Sequence, residues 1–461
     1  MKKIVVFCIA FIVSASIVYG NSNDKSHERN VIILSIDGFP ADLLWNKNIE
    51  IPTLRKLAEN GAYAHSLVPT NPTVTWPNHT TMVTGVNSMY HCLLFNGKVE
   101  YTNGGLPVHL NSSKDKSELV AVPTIYDIAF EAGLFTADIN WPATRNAGTL
   151  HDSFPDVPNS VGHMTENLLW DLFDEGILDD MTNFALWQHD SEGRDEIWLQ
   201  SAIYLIENRM PNLMMLHLLN LDSSVHRSGL STEVSKEALR LADSHLERIL
   251  QALDTAGKKE NTALFIVSDH GFVNTPNTIL PNVALAQNGL LEIEGTDIVA
   301  AKAQAIGTGG FAFVYLDDPN DEEVHDEVIR IFEGTEGIYR VFTADEFDDL
   351  GLPHPDDCDQ SGRILLAAEP GYLFNISIRE NEVVVNSEEH GFSLAHHGFL
   401  NTFSQMEGAF VASGNGIAKG TVIDRVDMRS IAPTVAHILG LDFDTADGEI
   451  LFDILDLDVV N

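Results

Sequence analysis

Val31-Ile32-Ile33-Leu34-Ser35-Ile36 is a nearly unbroken β-branched and apolar run. A strand covered on both faces reads this way, because neither face needs polar side chains. Similar runs recur at 213–219, 263–267, 364–367 and 409–412. Helical patterns lie between several of them. The clearest spans 235–257, with Ala238, Ala242, Leu246, Ile249 and Leu253 on one stripe and Gly257 as a stop. Strands separated by helices predict an α/β fold, a mostly parallel central sheet sandwiched by helices on both faces.

From about 274 to 394 the pattern changes. A strand is expected at 310–316, a helix at 323–332 and a short strand at 339–342. The stretch 376–385 resembles a hairpin turning at Glu380-Asn381. This reads as a smaller α+β subdomain inserted before the last core strands. There is no internal repeat and no low-complexity tract.

The chain begins with Lys2 and Lys3, then a short apolar stretch that ends at Val18-Tyr19-Gly20. That is the pattern of a signal peptide over 1–20, too short for a comfortable membrane span. A polar lead-in follows at 21–30, and the catalytic domain is expected over 31–461. A mature chain without a transmembrane domain, periplasmic or secreted, is implied. Cys8 leaves with the signal, so Cys92 and Cys358 remain and could pair in an oxidising compartment. They are too few for a thiolate metal cluster. Acidic residues outnumber basic ones 67 to 27, a formal charge of −40. That balance disfavours a stable nucleic-acid complex, whose backbone contacts depend on basic residues. An apolar fraction of 44% fits a globular protein and argues against disorder or a multi-span membrane protein.

In open α/β sheets, functional groups gather at the carboxyl ends of strands. Asp37 follows the first run, and Gly38 permits a tight exit. Asp222 follows 213–219, with His226 four residues on. Asp269 and His270 follow Val267-Ser268, and His396-His397-Gly398 comes late. Taken singly, an aspartate after a strand is more often a helix cap, and a histidine a packed or surface residue. Taken together, three aspartates and three histidines at strand ends converge on one edge. Carboxylates and imidazoles without thiolates suit zinc or a similar ion, and six are too many for one tetrahedral site. Two ions a few ångströms apart suit phosphoryl transfer. A nucleophile is offered by Pro72-Thr73-Val74-Thr75-Trp76-Pro77-Asn78-His79, where Thr75 either caps a helix or places a hydroxyl at its start.

At this point the chain resembles the alkaline phosphatase superfamily, most closely its nucleotide pyrophosphatase/phosphodiesterase family as a bacterial-type catalytic domain alone. The matching pieces are Ile36-Asp37-Gly38, the Pro72 to His79 stretch, Thr84-Gly85, Asp222 to His226, Ser268-Asp269-His270-Gly271 and His397-Gly398. The tail Ile431-Ala432-Pro433-Thr434 with Asp447-Gly448 is similar to the superfamily's closing segment. The resemblance implies two Zn2+ per chain, one on Asp37, Thr75, Asp269 and His270, the other on Asp222, His226 and His397. It implies Thr75 as the nucleophile and Asn96, with the Trp76 N–H, as donors to a phosphoryl oxygen. His397 is preferred to His396 because it directly precedes Gly398. Asn140-Trp141-Pro142-Ala143-Thr144-Arg145 is similar to the stretch that lines the diesterases' pocket. Trp76, Trp141 and Arg145 are therefore expected near the substrate, a small phosphodiester or nucleotide. Ala143 stands where that family has glycine, and Arg145 where an acid is common, so Arg145 is the one feature that would serve a monoester. Thr75 excludes a sulfatase, which needs cysteine or serine there. A phosphomonoesterase or phosphonate hydrolase on the same metals is the alternative, and a catalytically silent binding protein the least favoured reading.

Overall fold

The computed structural model describes residues 29–102 and 104–460. The expected signal peptide, and most of the polar lead-in, lie outside the described residues. Among the described residues no helix is long and apolar enough to cross a membrane.

Eight strands form the main sheet, in the order Thr421–Asp427, Ala62–Val68, Gly408–Gly414, Thr262–Val267, Asn30–Ile36, Leu213–Leu218, Thr136–Pro142 and Asp152–Asp156. Gly408–Gly414 runs antiparallel to both neighbours, and every other pairing is parallel. Asn30–Ile36 sits between two parallel partners, with Ser35 level with His217 on one side and Val267 on the other. Its alternation divides it between two cores. Ile32, Leu34 and Ile36 face one layer of helices, and Val31 and Ile33 the other. Both faces being apolar explains the uninterrupted run in the sequence.

Glu233–Thr255 is the long helix expected from the stripe, and Leu239, Leu246, Ile249 and Leu253 are buried along it. It starts where Thr232 accepts a hydrogen bond from the Ser235 N–H and packs beside Ser191–Asn208 on the first face. Thr75–Thr84, Ile125–Glu131 and Ile431–Leu439 cover the opposite face.

A second sheet has the order Ala303–Thr308, Phe311–Leu316, Ile364–Ala368, Ile338–Thr343 and is wholly antiparallel. Ala312 and Val314 face Val328 and Phe332 of the helix Glu322–Glu333. Phe311 and Phe313 face the other way, onto Leu94 and Phe95. The run at 364–367 thus belongs to this sheet, not to the main one. The hairpin expected at 376–385 is not formed. Tyr372–Phe374 and Val384–Asn386 lie on opposite sides of Asn277–Ile279, which takes the hydrogen bonds a hairpin would have used. Cys92 and Cys358 form a disulfide with 6.0 Å between Cα atoms, tying the segment before Asn96 to the loop that leads into Ile364–Ala368.

Candidate active site at the sheet's carboxyl edge

Three neighbouring strands deliver their chemistry to one edge. Asp37 follows Asn30–Ile36, Asp269 and His270 follow Thr262–Val267, and the helix Asn220–Ser228 follows Leu213–Leu218. On that helix Asp222 and His226 are one turn apart and share a face, with the His226 Nε2 3.2 Å from the Asp222 Oδ1. Gly38 turns the chain at φ +64°, where a Cβ would stand 2.3 Å from the Phe272 ring. Its N–H donates to the Asp269 Oδ1 at 3.1 Å, joining the first two strand ends. His396 and His397 arrive on a short antiparallel pairing of Ala395–His396 with Val273–Asn274.

The side chains fall into overlapping groups whose ligand atoms lie within 4.8 Å of one another: Asp37, Asp269 and His270; Asp222, His270 and His397; His226, His396 and His397. The His270 Nε2 is 3.2 Å from the Asp269 Oδ2 and 3.4 Å from the Asp37 Oδ1, and its ring stacks on His397 with centroids 3.6 Å apart. The His397 Nε2 is 3.8 Å from the Asp222 Oδ1.

Hydrogen bonds fix which histidine nitrogen faces this cluster. Nδ1 of His226 donates to the Ala395 carbonyl at 2.9 Å, Nδ1 of His397 to that of Thr73 at 2.9 Å, and Nδ1 of His270 to that of Gly271 at 3.2 Å. A carbonyl only accepts, so each Nδ1 carries a proton and each Nε2 is turned to the carboxylates. His396 is held differently. Its Nδ1 lies against the His397 backbone, 3.0 Å from the N–H nitrogen and 3.3 Å from the carbonyl, and its Nε2 lies against the Thr308 hydroxyl at 3.3 Å. It is His397 whose Nε2 faces Asp222, at 3.8 Å.

Asp37 Oδ1, Asp222 Oδ1, Asp269 Oδ2 and His270 Nε2 are buried without a hydrogen-bond partner among the described residues. Unpaired buried carboxylate oxygens are costly, and three of them converging with an imidazole nitrogen fit a cation. Burial lifts Asp37 well above the usual carboxylate range, and the charge of Asp222 adds to it. Burial and the charge of Asp37 do the same to Asp269. Burial holds His270 and His397 well below the usual imidazole range. Burial also works to raise Asp222, but His226, helped by His397 and His396, outweighs it and the carboxyl sits low. Oxygen and imidazole donors without thiolate fit one or two divalent ions.

Thr75 opens the helix Thr75–Thr84, and the loop before it is sewn to both ligand groups. The Asn78 side chain accepts from the Thr70 N–H and donates to the Pro72 and Val74 carbonyls at 2.9 and 3.0 Å. The Thr73 carbonyl takes the His397 Nδ1–H and the Gly398 N–H. One turn into the helix, the His79 Nδ1 donates to the Thr75 carbonyl at 2.8 Å and lies 3.6 Å from the Asp269 Oδ2.

The chain matches the type I phosphodiesterase / nucleotide pyrophosphatase family over residues 31–399, a span running from the first core strand to just past His397. The protein belongs to this family. Among curated relatives in the same family, a human bis(5′-adenosyl)-triphosphatase is 22% identical over 448 residues, covering 96% of this chain and 84% of its own. The ectonucleotide pyrophosphatase/phosphodiesterase 1 of Saccharomyces cerevisiae is 23% identical over 85% of this chain and 54% of its own length. The solved structure of murine ectonucleotide pyrophosphatase/phosphodiesterase 5 superposes with a TM-score of 0.70 at 19% identity, covering 93% of this chain and all of the murine one. At that identity the match speaks for the fold, a central α/β sheet of the alkaline phosphatase kind.

Around the site of this phosphodiesterase-family protein, the expected pocket residues take different places. The Trp76 N–H and Asn96 do converge, but on each other: the N–H donates to the Asn96 Oδ1 at 2.9 Å. The Trp76 ring is buried among Leu93, Leu119, Ala143 and Val157, and its indole N–H donates to the Asp156 Oδ2 at 2.9 Å. Trp141 is fully buried, edge-on to His79 at 4.8 Å, so it supports the site from below and offers no surface to a substrate. Arg145 is partly exposed, and its Nε is 2.8 Å from the Asp115 Oδ1. Sequence reasoning missed Asn78, His79, Asp156 and His217. His217 interrupts the apolar run at 213–219, and a histidine inside a two-sided strand needs a partner; that was the available signal.

Proposed function

We propose that this protein hydrolyses small phosphodiesters, nucleotides among them, through a phosphothreonine on Thr75 with two Zn2+ bound at the site. The observation that carries this reading is the loop before Thr75, held by hydrogen bonds to His397 on one side and, through His79, close to Asp269 on the other. Asp37, Thr75, Asp269 and His270 would hold one ion, and Asp222, His226 and His397 the other. Bound there, the two ions would supply a lowered pKa for the Thr75 hydroxyl and charge neutralisation for the oxygens around phosphorus. The Thr75 Oγ attacks phosphorus, the P–O bond to the leaving group breaks, and water then cleaves the phosphothreonine. With its carbonyl oxygen taken by the Trp76 N–H, Asn96 keeps its amide N–H groups to donate to a phosphoryl oxygen.

The diester preference is supported by Arg145. This cation would best offset the extra charge of a monoester, and its pairing with Asp115 already neutralises it. One relative is named a bis(5′-adenosyl)-triphosphatase, and an inactive form of the murine relative has been solved in complex with AMP, which supports nucleotide substrates. The Cys92–Cys358 disulfide and the leader-like first residues support a periplasmic or secreted site of action. The test compares bis-p-nitrophenyl phosphate with p-nitrophenyl phosphate at equal enzyme, with and without prior chelation. Faster diester cleavage, lost on chelation and restored by Zn2+, is expected. Faster monoester cleavage would make the protein a phosphomonoesterase instead.

A further inference from the structure

The two carboxylates of the Asp37–Asp269–His270 group share a design. Each has one oxygen held by the protein and the other buried without a hydrogen-bond partner. For Asp269 the holder is the Gly38 N–H on Oδ1. For Asp37 it is a side chain, His217, whose Nε2 lies 2.9 Å from Oδ2. His217 is buried within Leu213–Leu218, the strand paired with Asn30–Ile36, so its Cα is level with Ser35. A parallel neighbour at this register is the position from which a ring can reach the residue just beyond the strand end.

The ring is itself held. Its Nδ1 is 3.0 Å from the Asn140 carbonyl and 3.3 Å from the Asn140 amide nitrogen, which donates to it when Nε2 carries the ring's proton. Asn140 adopts φ +56°, a left-handed conformation that asparagine tolerates better than most residues, near the end of the next strand. The Asn140 amide donates back to the His217 carbonyl at 3.2 Å. The His79 ring packs on His217 with centroids 4.4 Å apart, on the side towards Thr75. Three strands thus lock one imidazole. With Oδ2 pinned, Asp37 has little freedom to rotate about its last bond, and Oδ1 stays aimed at His270, 3.4 Å from its Nε2.

We propose that His217 is a positioning residue for Asp37: by holding Oδ2 through its Nε2–H, with Nδ1 set against Asn140, it presents Oδ1 to a divalent cation. The inference rests on the reading of Asp37 as a cation ligand. An outer partner of this kind fixes the direction of the ligand's lone pair, and its loss typically costs about 10–100-fold in metal affinity.

The experiment titrates chelator-stripped full-length protein with Zn2+ against a chromophoric competitor, for wild type, H217L, H217Q and D37N. H217L keeps the volume and removes the hydrogen bond, and H217Q restores one donor towards Asp37. Zn2+ binding at the tighter site is expected to weaken by roughly 10–100-fold in H217L, to recover most of that in H217Q, and to be lost in D37N. Thermal unfolding of the stripped proteins separates this from a packing effect, since H217Q and H217L are expected to unfold at similar temperatures while differing in affinity. H217L that titrates like wild type, or H217Q no better than H217L, would overturn the proposal while the cation site stands. Wild type that takes up no Zn2+ would overturn the metal reading and this inference together.

Discussion

At the scale of the residue, the site is a matter of which atom points where. His226, His270 and His397 each spend Nδ1 on a backbone carbonyl and turn Nε2 inward, whereas His396 sets its Nε2 against the Thr308 hydroxyl. Two neighbouring histidines of identical chemistry are thereby given different surroundings. Thr75 is placed the same way, by bonds its neighbours make. On the proposed mechanism Thr75→Ala is expected to keep the fold and to cut diester turnover by about 10³-fold or more, because the proposed nucleophile is gone while the other side chains of the cluster remain. Steady-state kinetics beside a thermal melt checks this, and a variant with near-normal turnover would remove Thr75 from the chemistry.

At the scale of the element, the strands and helices carry these atoms to one edge and keep them there. The Asp195 carboxylate, on the helix Ser191–Asn208, accepts the Leu219 and Asn220 N–H groups at 2.9 and 3.0 Å and so fixes the start of the helix bearing Asp222 and His226. Asp138, within Thr136–Pro142, accepts the Thr144 hydroxyl at 2.9 Å. Burial pushes Asp138 up to about 7, against the pull of Ser153, Thr144 and the Trp141 backbone. A carboxyl whose folded pKa lies above its unfolded value favours the fold at low pH. That stability is present below about pH 4 and is lost as pH rises through about 7. Asp138→Asn removes the titration, so the variant's stability relative to wild type is expected to rise by about 2–3 kcal/mol between pH 5 and pH 8. Urea unfolding at the two pH values measures it; a constant difference would mean that Asp138 ionises in the fold as it does in water.

At the scale of the whole molecule, the second sheet meets the segment that leads to Asn96, and a covalent link holds the two together. Leu94 and Phe95, which lead into Asn96, pack on Phe311 and Phe313 of the second sheet. Cys92–Cys358 closes a separation of 266 residues across the same contact. Cross-linking so long a loop restricts the unfolded chain, so reduction is expected to cost about 2–4 kcal/mol. Denaturant midpoints with and without dithiothreitol test this. An unchanged midpoint would show that packing alone joins the second sheet to the 92–96 segment.

Much of this was legible in the sequence because the signals are local. A strand buried on both faces must be apolar throughout, and a helix on a sheet must carry a stripe, so Asn30–Ile36 and Glu233–Thr255 could be read directly. Asp37, Asp222, Asp269 and His270 were legible because a parallel sheet sends the residues after its strands to one edge. Other features depend on partners far away in the chain, and only the tertiary structure decided them. Leu365 and Leu366 read as a buried strand, but only their neighbours set it antiparallel between Phe311–Leu316 and Ile338–Thr343. The stretch 376–385 had the alternation of a hairpin, but Asn277–Ile279 came between its flanking strands. His217 was one more residue of an apolar run until strand register set it level with Ser35, within reach of Asp37. Periodicity and composition report how each residue meets water, whereas register and hydrogen-bond direction are fixed only when distant segments meet.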